Sequence, residues 1–216
     1  MSQNIYDKII RSRLIAIVRG IPSQQSLNVA QALLSGGIDC MEITYNPASQ
    51  EQSKDTLCSI EKIKEHFGDQ ITLGAGTVLT AQQVDDAIAA GAEFIISPNI
   101  NPKVIERTKA RNKVSMPGAL TPTEAQIAVE CGADIVKMFP AGILGPDYFK
   151  AVKSSMTHLI LSAVGGINLN NISTFMDAGI YIFGIGGSLV NQEIVQNERY
   201  EEITERAMKF SNAVHP

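Results

Sequence analysis

The chain has no run of about 18 apolar residues, no block of basic residues and only three cysteines, and each shortage removes a class of function. Without such a run there is no candidate transmembrane helix, and the opening M-S-Q-N-I-Y-D-K lacks the apolar stretch of a signal peptide, so a soluble cytoplasmic protein is expected. The 18 basic and 22 acidic residues leave a net charge of −4, which offers nothing to a nucleic-acid backbone and leaves a small molecule as the expected partner. Cys40, Cys58 and Cys131 are odd in number and lack metal-ligand spacing; they read as packed thiols in a reducing compartment. His66, His158 and His215 have neither ligand spacing nor a carboxylate partner, so no metal site is expected.

What is present is material for a large core: 216 residues, 44% hydrophobic, with 17 glycines and no linker, which predicts one domain over residues 1–216. Four segments repeat one design: S-G-G-I-D-C-M-E-I, A-G-A-E-F-I-I, C-G-A-D-I-V-K-M and A-G-I-Y-I-F-G-I each join a helix-ending glycine to an apolar strand. After a lead-in helix over Ser2–Arg13, strands are predicted at 14–18, 38–44, 71–77, 94–97, 114–117, 135–139, 159–164 and 182–185. The intervening helices begin at Ser23, Gln50, Thr80, Asn101, Thr121, Gly145-Pro146 and Asn170, and a final helix runs from about Glu193 to Val214. Thr80 to Gln83 and Thr121 to Glu124 have capping-box spacing, so Glu124 is read as a cap rather than a catalytic acid. Eight strands apolar on both faces, alternating with eight helices, call for a parallel (β/α)8 TIM barrel. The open doubly wound sheet is the alternative, but G-x-G-x-x-G is missing after the first strand.

In such a barrel the reactive groups stand at the C-terminal ends of the strands. That rule selects Arg19, Glu42, Thr44, Thr77, Pro98, Lys137 and Phe139. Glu42 with Thr44, and Lys137 with Phe139, are two residues apart, so each pair faces the same side of its strand. Lys137 interrupts the apolar run V-K-M-F-P-A, where lost hydration disfavours the ammonium and favours a nucleophilic amine. A buried ion pair with Glu42 would be the purely structural reading, but two buried charges rarely gain stability over apolar residues. Gly165-Gly166-Ile167 and Gly184 to Ser188, after the last two strands, allow backbone N–H groups to approach an anion, and a short helix starting near Ser188 would add its dipole.

M-E-I-T, G-A-G-T-V, I-S-P-N, P-G-A-L-T-P-T-E, V-K-M-F-P-A, V-G-G-I and G-I-G-G-S, in this order from about Leu14 to Val190, resemble the 2-keto-3-deoxy-6-phosphogluconate / 4-hydroxy-2-oxoglutarate aldolases. The resemblance implies a class I aldolase, usually trimeric, with no cofactor beyond a covalent Schiff base on Lys137 and with Glu42 as proton shuttle. It implies that Thr77, Pro98 and Phe139 line a pyruvate pocket and that Gly165, Gly166, Gly187 and Ser188 hold phosphate; Arg19, Thr44 and Asn46 complete the expected substrate-binding set. The expected reaction is cleavage of 2-keto-3-deoxy-6-phosphogluconate to pyruvate and glyceraldehyde 3-phosphate, with hydroxyoxoglutarate as a further substrate. Two departures bear on the substrate. Gluconate-type members carry an arginine where this chain has Asn46 and commonly P-T-G-G where it has Ala163-Val164-Gly165-Gly166. At both places, and in Arg19, the chain is similar to the 2-keto-3-deoxy-6-phosphogalactonate aldolases. Two other readings remain: a sugar-phosphate isomerase or epimerase using Glu42 as base with Lys137 as an electrostatic anchor, and a non-catalytic sugar-phosphate binding module.

Overall fold

The computed structural model describes residues 2–215. Its strands are β1 (Leu14–Arg19), β2 (Cys40–Thr44), β3 (Thr72–Gly76), β4 (Phe94–Ile96), β5 (Val114–Met116), β6 (Gly118–Ala119), β7 (Val136–Met138), β8 (Leu161–Val164) and β9 (Phe183–Ile185). All pair in parallel, in the order β5-β4-β3-β2-β1-β9-β8-β7-β6. The two outer strands, β5 and β6, are consecutive in the chain and separated only by Pro117. The expected fifth strand over 114–117 is therefore two short pieces of one bent strand. Pro117 has no N–H for the ladder, but its carbonyl accepts from Lys137 N at 2.9 Å. β5 pairs with β4 and β6 with β7, so this bend completes an eightfold (β/α) barrel.

Alternation along the strands divides the apolar side chains into two sets. Ile15, Cys40, Phe94, Ile96, Val114, Met116, Ile135 and Ile182 cluster inside the barrel, and Ile9 of the lead-in helix α1 (Ser2–Ser12) joins them from below. The opposite faces, with Ala16, Val18, Met41, Ile43, Leu73, Ala75, Val136 and Met138, pack outward on the helices. These are α2 (Ser26–Ser35), α3 (Gln50–Phe67), α4 (Ala81–Ala89), α5 (Pro102–Ala110), α6 (Pro122–Glu130), α7 (Ala141–Ser155), α8 (Ile172–Asp177), α9 (Gln192–Gln196) and α10 (Tyr200–Val214). Both capping boxes form, so Glu124 is a cap.

Several boundaries differ from expectation for local reasons. α2 starts at Ser26, because Asp55 of α3 accepts from Ser23 N and holds 23–25 in a turn. α7 gains a first turn before Gly145, whose φ of 74° kinks it ahead of Pro146. The long final helix is two helices, split where Glu198 takes φ 54°. No helix begins near Ser188: a turn closes there, with Leu189 N and Val190 N bonded to Gly186 O, and α9 starts only at Gln192. Among the described residues no helix is long and apolar enough to cross a membrane.

Candidate active site

Glu42 is the central residue of β2 and Lys137 the central residue of β7. Both stand inside the barrel, 1% and 6% exposed, and both line one cavity of about 350 Å³ that opens at the C-terminal ends of the strands. Gly184 lines it in a place with little room for a side chain: a methyl group there would lie 2.9 Å from Val164 and 3.1 Å from Ile17.

Burial pushes the Glu42 carboxyl above the usual carboxylate range, and the positive charges of Lys137 and Arg19 only partly offset it. Burial likewise pushes the Lys137 amine below the usual lysine range; Glu42 opposes this shift and Arg19 adds to it. Desolvation thus favours the neutral form of both groups. Among the described residues Glu42 Oε2 has no hydrogen-bond partner, and Lys137 Nζ lies 5.3 Å from the centre of the Phe139 ring. An amine with nucleophilic character, a carboxyl able to give or take a proton and an aromatic wall therefore meet in one place.

The chamber brings together Arg19, Glu42, Lys137, Phe139, Gly165, Gly166, Gly187 and Ser188 of the expected set. Thr44 and Asn46 lie instead in a neighbouring cavity of about 490 Å³ between the ends of β1 and β2 and helix α3, which shares only Arg19 with the chamber. Among the described residues that larger space is lined by no buried amine and no unpartnered buried carboxylate, whereas the chamber has both. Thr44 Oγ1 donates to Val18 O at 3.4 Å. The Asn46 amide is tied to its own turn, donating to Gln52 Oε1 at 2.5 Å and accepting from Ala48 N at 3.0 Å. Thr77 stands at the rim of β3, where its hydroxyl accepts from Arg19 Nη2 at 3.2 Å. Pro98 packs against β6, its carbonyl so near Gly118 that no side chain would fit there, and does not line the chamber.

The glycine turns after β8 and β9 form the other wall. Gly165 and Gly166 have φ of 86° and 80°, in the region glycine alone enters freely, and Gly165 O accepts from Gly142 N at 2.7 Å. Ser188 Oγ donates to Ile167 O at 3.1 Å. Ile17 and Asn168 also line the chamber without having been expected to. Parity with Arg19 could have placed Ile17; no spacing signal marks Asn168. Among the described residues no cluster of three or more His, Cys, Asp or Glu is placed to hold a metal ion.

Residues 5–206 match the family model described as KDPG and KHG aldolase. The 2-dehydro-3-deoxy-6-phosphogalactonate aldolase of Escherichia coli K12 is 38% identical over 177 residues, covering 82% of this chain and 83% of that protein. The 2-dehydro-3-deoxy-phosphogluconate aldolase of Treponema pallidum is 35% identical over 185 residues, covering 85% and 84%. Among solved structures, the KDPG aldolase of Legionella pneumophila, with pyruvate captured as a covalent carbinolamine intermediate, superposes with a TM-score of 0.84 at 27% identity over 94% of this chain and 96% of that one.

Proposed function

The chain belongs to the KDPG and KHG aldolase family, and on that premise we propose that it cleaves 2-keto-3-deoxy-6-phospho sugar acids to pyruvate and glyceraldehyde 3-phosphate through a Schiff base on Lys137. One observation carries the assignment of roles: a buried lysine and a buried carboxylate with an unpartnered oxygen face the same chamber. Neutral Lys137 attacks the keto carbon, C2, and Glu42 passes protons so that the carbinolamine loses water to become an iminium. Glu42, as carboxylate, then takes the proton of the C4 hydroxyl. The C3–C4 bond breaks, its electron pair enters the iminium to give an enamine, and C4 leaves as the aldehyde carbon. Glu42 returns the proton to C3, and water frees pyruvate from the lysine. The iminium is the electron sink, so no further cofactor is required.

The gluconate- and galactonate-derived acids differ in configuration at C4, and the galactonate epimer is proposed as the preferred substrate. Arg19 and Lys137 are the cations that line the chamber, and the Asn46 amide that stands in place of the gluconate-type arginine is held by Gln52 and Ala48 N. The relative named for the galactonate acid is similar at 38% identity. A homotrimer is the proposed assembly, supported by the exposed apolar side chains Leu120, Ile127 and Ile143 and checked by light scattering.

Borohydride added with pyruvate should fix a pyruvate-derived mass on Lys137 and on no other residue. Absence of that label, or turnover that survives Lys137→Ala, would sink the mechanism in favour of an isomerase or a binding module. Initial rates on the two epimers decide the C4 preference.

A further inference from the structure

Among the described residues, the buried side-chain nitrogen and oxygen atoms without a partner are Glu42 Oε2 and Ser162 Oγ. Glu42 is accounted for by the chemistry of the chamber; Ser162 is not. Other buried hydroxyls of the chain settle on backbone carbonyls: Thr56 on Gln52 O at 2.9 Å, Ser97 on Val78 O and Thr108 on Val104 O, both at 2.7 Å. Ser162 is the second residue of β8 and is fully buried. Leu161 and Ala163 on either side of it pack outward, and Val164, two residues on, lines the chamber, so the Ser162 side chain faces the lumen. The register sets it beside Lys137 on the neighbouring strand, where paired residues share a face and strands lie about 4.8 Å apart. On the other flank the register partner of Lys137 is Gly118, which has no side chain. Glu42 stands across the lumen on β2, with β1, β9 and β8 between. A hydroxyl buried without a partner is costly, and here it lies next to the stem of the reactive lysine.

We propose that Ser162 is a positioning residue for Lys137: its hydroxyl accepts a hydrogen bond from Nζ when the lysine side chain folds back from the chamber, and releases the amine when a keto acid arrives. The proposal rests on the aldolase reading of the same chamber. In this structure Nζ is extended over the Phe139 ring, 5.3 Å from its centre, so the bond to Ser162 belongs to a second rotamer of the flexible four-carbon stem. A hydroxyl suits such a resting place. By rotating it accepts from the ammonium or donates to the neutral amine, and it holds the ammonium less firmly than a carboxylate would, so a substrate can displace it. The charged groups that act on Lys137 are Glu42, which favours the ammonium, and Arg19, which opposes it, while burial favours the amine. β6, β8 and β9 bring no charged side chain to it. Ser162 therefore supplies the ammonium with a contact that does not depend on the protonation of Glu42.

The pH dependence of Lys137 labelling by pyruvate and borohydride tests this in Ser162→Ala and Ser162→Cys, the second of which keeps the volume of the side chain but offers only a weak acceptor. Loss of a hydrogen bond to the charged amine is expected to move the acidic limb of labelling about one pH unit lower in both variants, so that labelling on that limb is about tenfold faster than in wild type. The Tm of Ser162→Ala should equal or exceed that of wild type, because the variant removes a buried hydroxyl that has no fixed partner. A hydroxyl with a purely structural role would change Tm and leave the limb in place. A limb within about 0.3 pH unit of wild type in both variants overturns the proposal, and so does a limb moved to higher pH. Absence of label on Lys137 in wild type would refute the Schiff-base reading instead. An NMR titration of the Lys137 carbon bonded to Nζ needs no substrate and still decides the role of Ser162: a midpoint lowered in both variants supports it, and an unchanged midpoint refutes it.

Discussion

The α-carbon of Gly76 lies against the carboxyl group of Glu42: a methyl group at position 76 would overlap Oε2 and Cδ of Glu42 and meet Thr44 Cγ2 at 2.8 Å. β2 and β3 pair with Thr44 opposite Gly76, so this contact is fixed by the sheet rather than by a loop. Gly76 is therefore the surface on which the Glu42 carboxyl rests. Gly76→Ala must move Glu42 or open the sheet, and inserting a methyl group into packed surroundings costs about 1–3 kcal/mol. The expected result is a folded protein whose kcat falls about a hundredfold, since displacing a catalytic group by an ångström has that scale of effect. Thermal unfolding alongside single-turnover kinetics checks it; a kcat within a few-fold of wild type would mean the carboxylate is not positioned from below.

The opposed shifts of Glu42 and Lys137 carry a pH prediction. Between the ordinary glutamate pKa and the raised value in the fold, the folded state binds more protons than the unfolded one, so Glu42 makes the protein lose stability as pH rises through that window. Lys137 acts in the other direction at alkaline pH: between its lowered folded value and the ordinary lysine value the unfolded state binds more protons, and stability rises with pH. Glu42→Gln should abolish the acidic window in denaturation curves. It also removes the charge that opposes the fall in the Lys137 pKa, so the acidic limb of imine formation with pyruvate should move to lower pH, while cleavage falls by about a thousandfold through loss of the general acid–base. A limb that moves to higher pH would show that Glu42 does not act on Lys137 electrostatically.

Thr77 holds φ of 57°, a region that a β-branched residue enters only under strain. Its hydroxyl accepts from Arg19, so the strain places a polar contact at the mouth of the chamber. Thr77→Gly should relieve about 1–3 kcal/mol of backbone strain, less about 0.5–1 kcal/mol for the freer unfolded chain, and raise Tm by a few degrees. The same variant should weaken pyruvate binding about tenfold, because Arg19 loses its anchor. Thr77→Val, which keeps the strain and removes only the hydroxyl, should reproduce the weaker binding without the gain in Tm. If both variants bind pyruvate as wild type does, the Arg19–Thr77 contact has no part in the site.

Much of this was legible before the structure, for reasons that individual residues make clear. Glu42 and Lys137 are conspicuous because a charge in an apolar strand is expensive, and strand parity then aims both at the lumen. The glycine turns were equally visible, since φ near 80° at Gly165 and Gly166 demands that residue. Asn46 shares the neighbourhood of Glu42 in the chain, yet it lines a different cavity because the chain leaves the barrel wall after β2 and its amide closes its own turn with Gln52 and Ala48; Thr44, the last residue of β2, lines that cavity too, with its hydroxyl on Val18 O and its methyl group beside Gly76. Pro98 and Asn168 show the same limit in opposite senses. Whether a loop side chain lines the chamber depends on which backbone group claims its polar atoms, and that is settled by contacts between loops rather than by spacing within one. Pro117 is similar: the break between β5 and β6 matters only because β4 and β7 meet there.

Gly165 and Gly187 separate folding from binding at the same wall. A methyl group on Gly165 would stand 2.9 Å from the Phe139 ring, and its φ of 86° strains any residue with a β-carbon. Gly165→Ala is therefore expected to cost about 1–2 kcal/mol in backbone strain alone and to lower Tm by several degrees. Because Phe139 faces Lys137, moving its ring should also slow pyruvate labelling of the lysine. Gly187 is the reverse case: nothing lies within 4 Å of the position its methyl group would take, and its backbone is not in the left-handed region. Gly187→Ala should leave Tm within about a degree and leave pyruvate labelling intact, since surface-like substitutions without clash or strain have small effects. If the proposed anion lies against that turn, the added methyl group occupies its space, and kcat/KM for the phosphorylated acid should fall about tenfold or more while the unphosphorylated acid is spared. Unfolding midpoints and paired kinetics on the two acids read both variants. A Gly187→Ala enzyme that treats the phosphorylated acid as wild type does would place the phosphate elsewhere in the chamber.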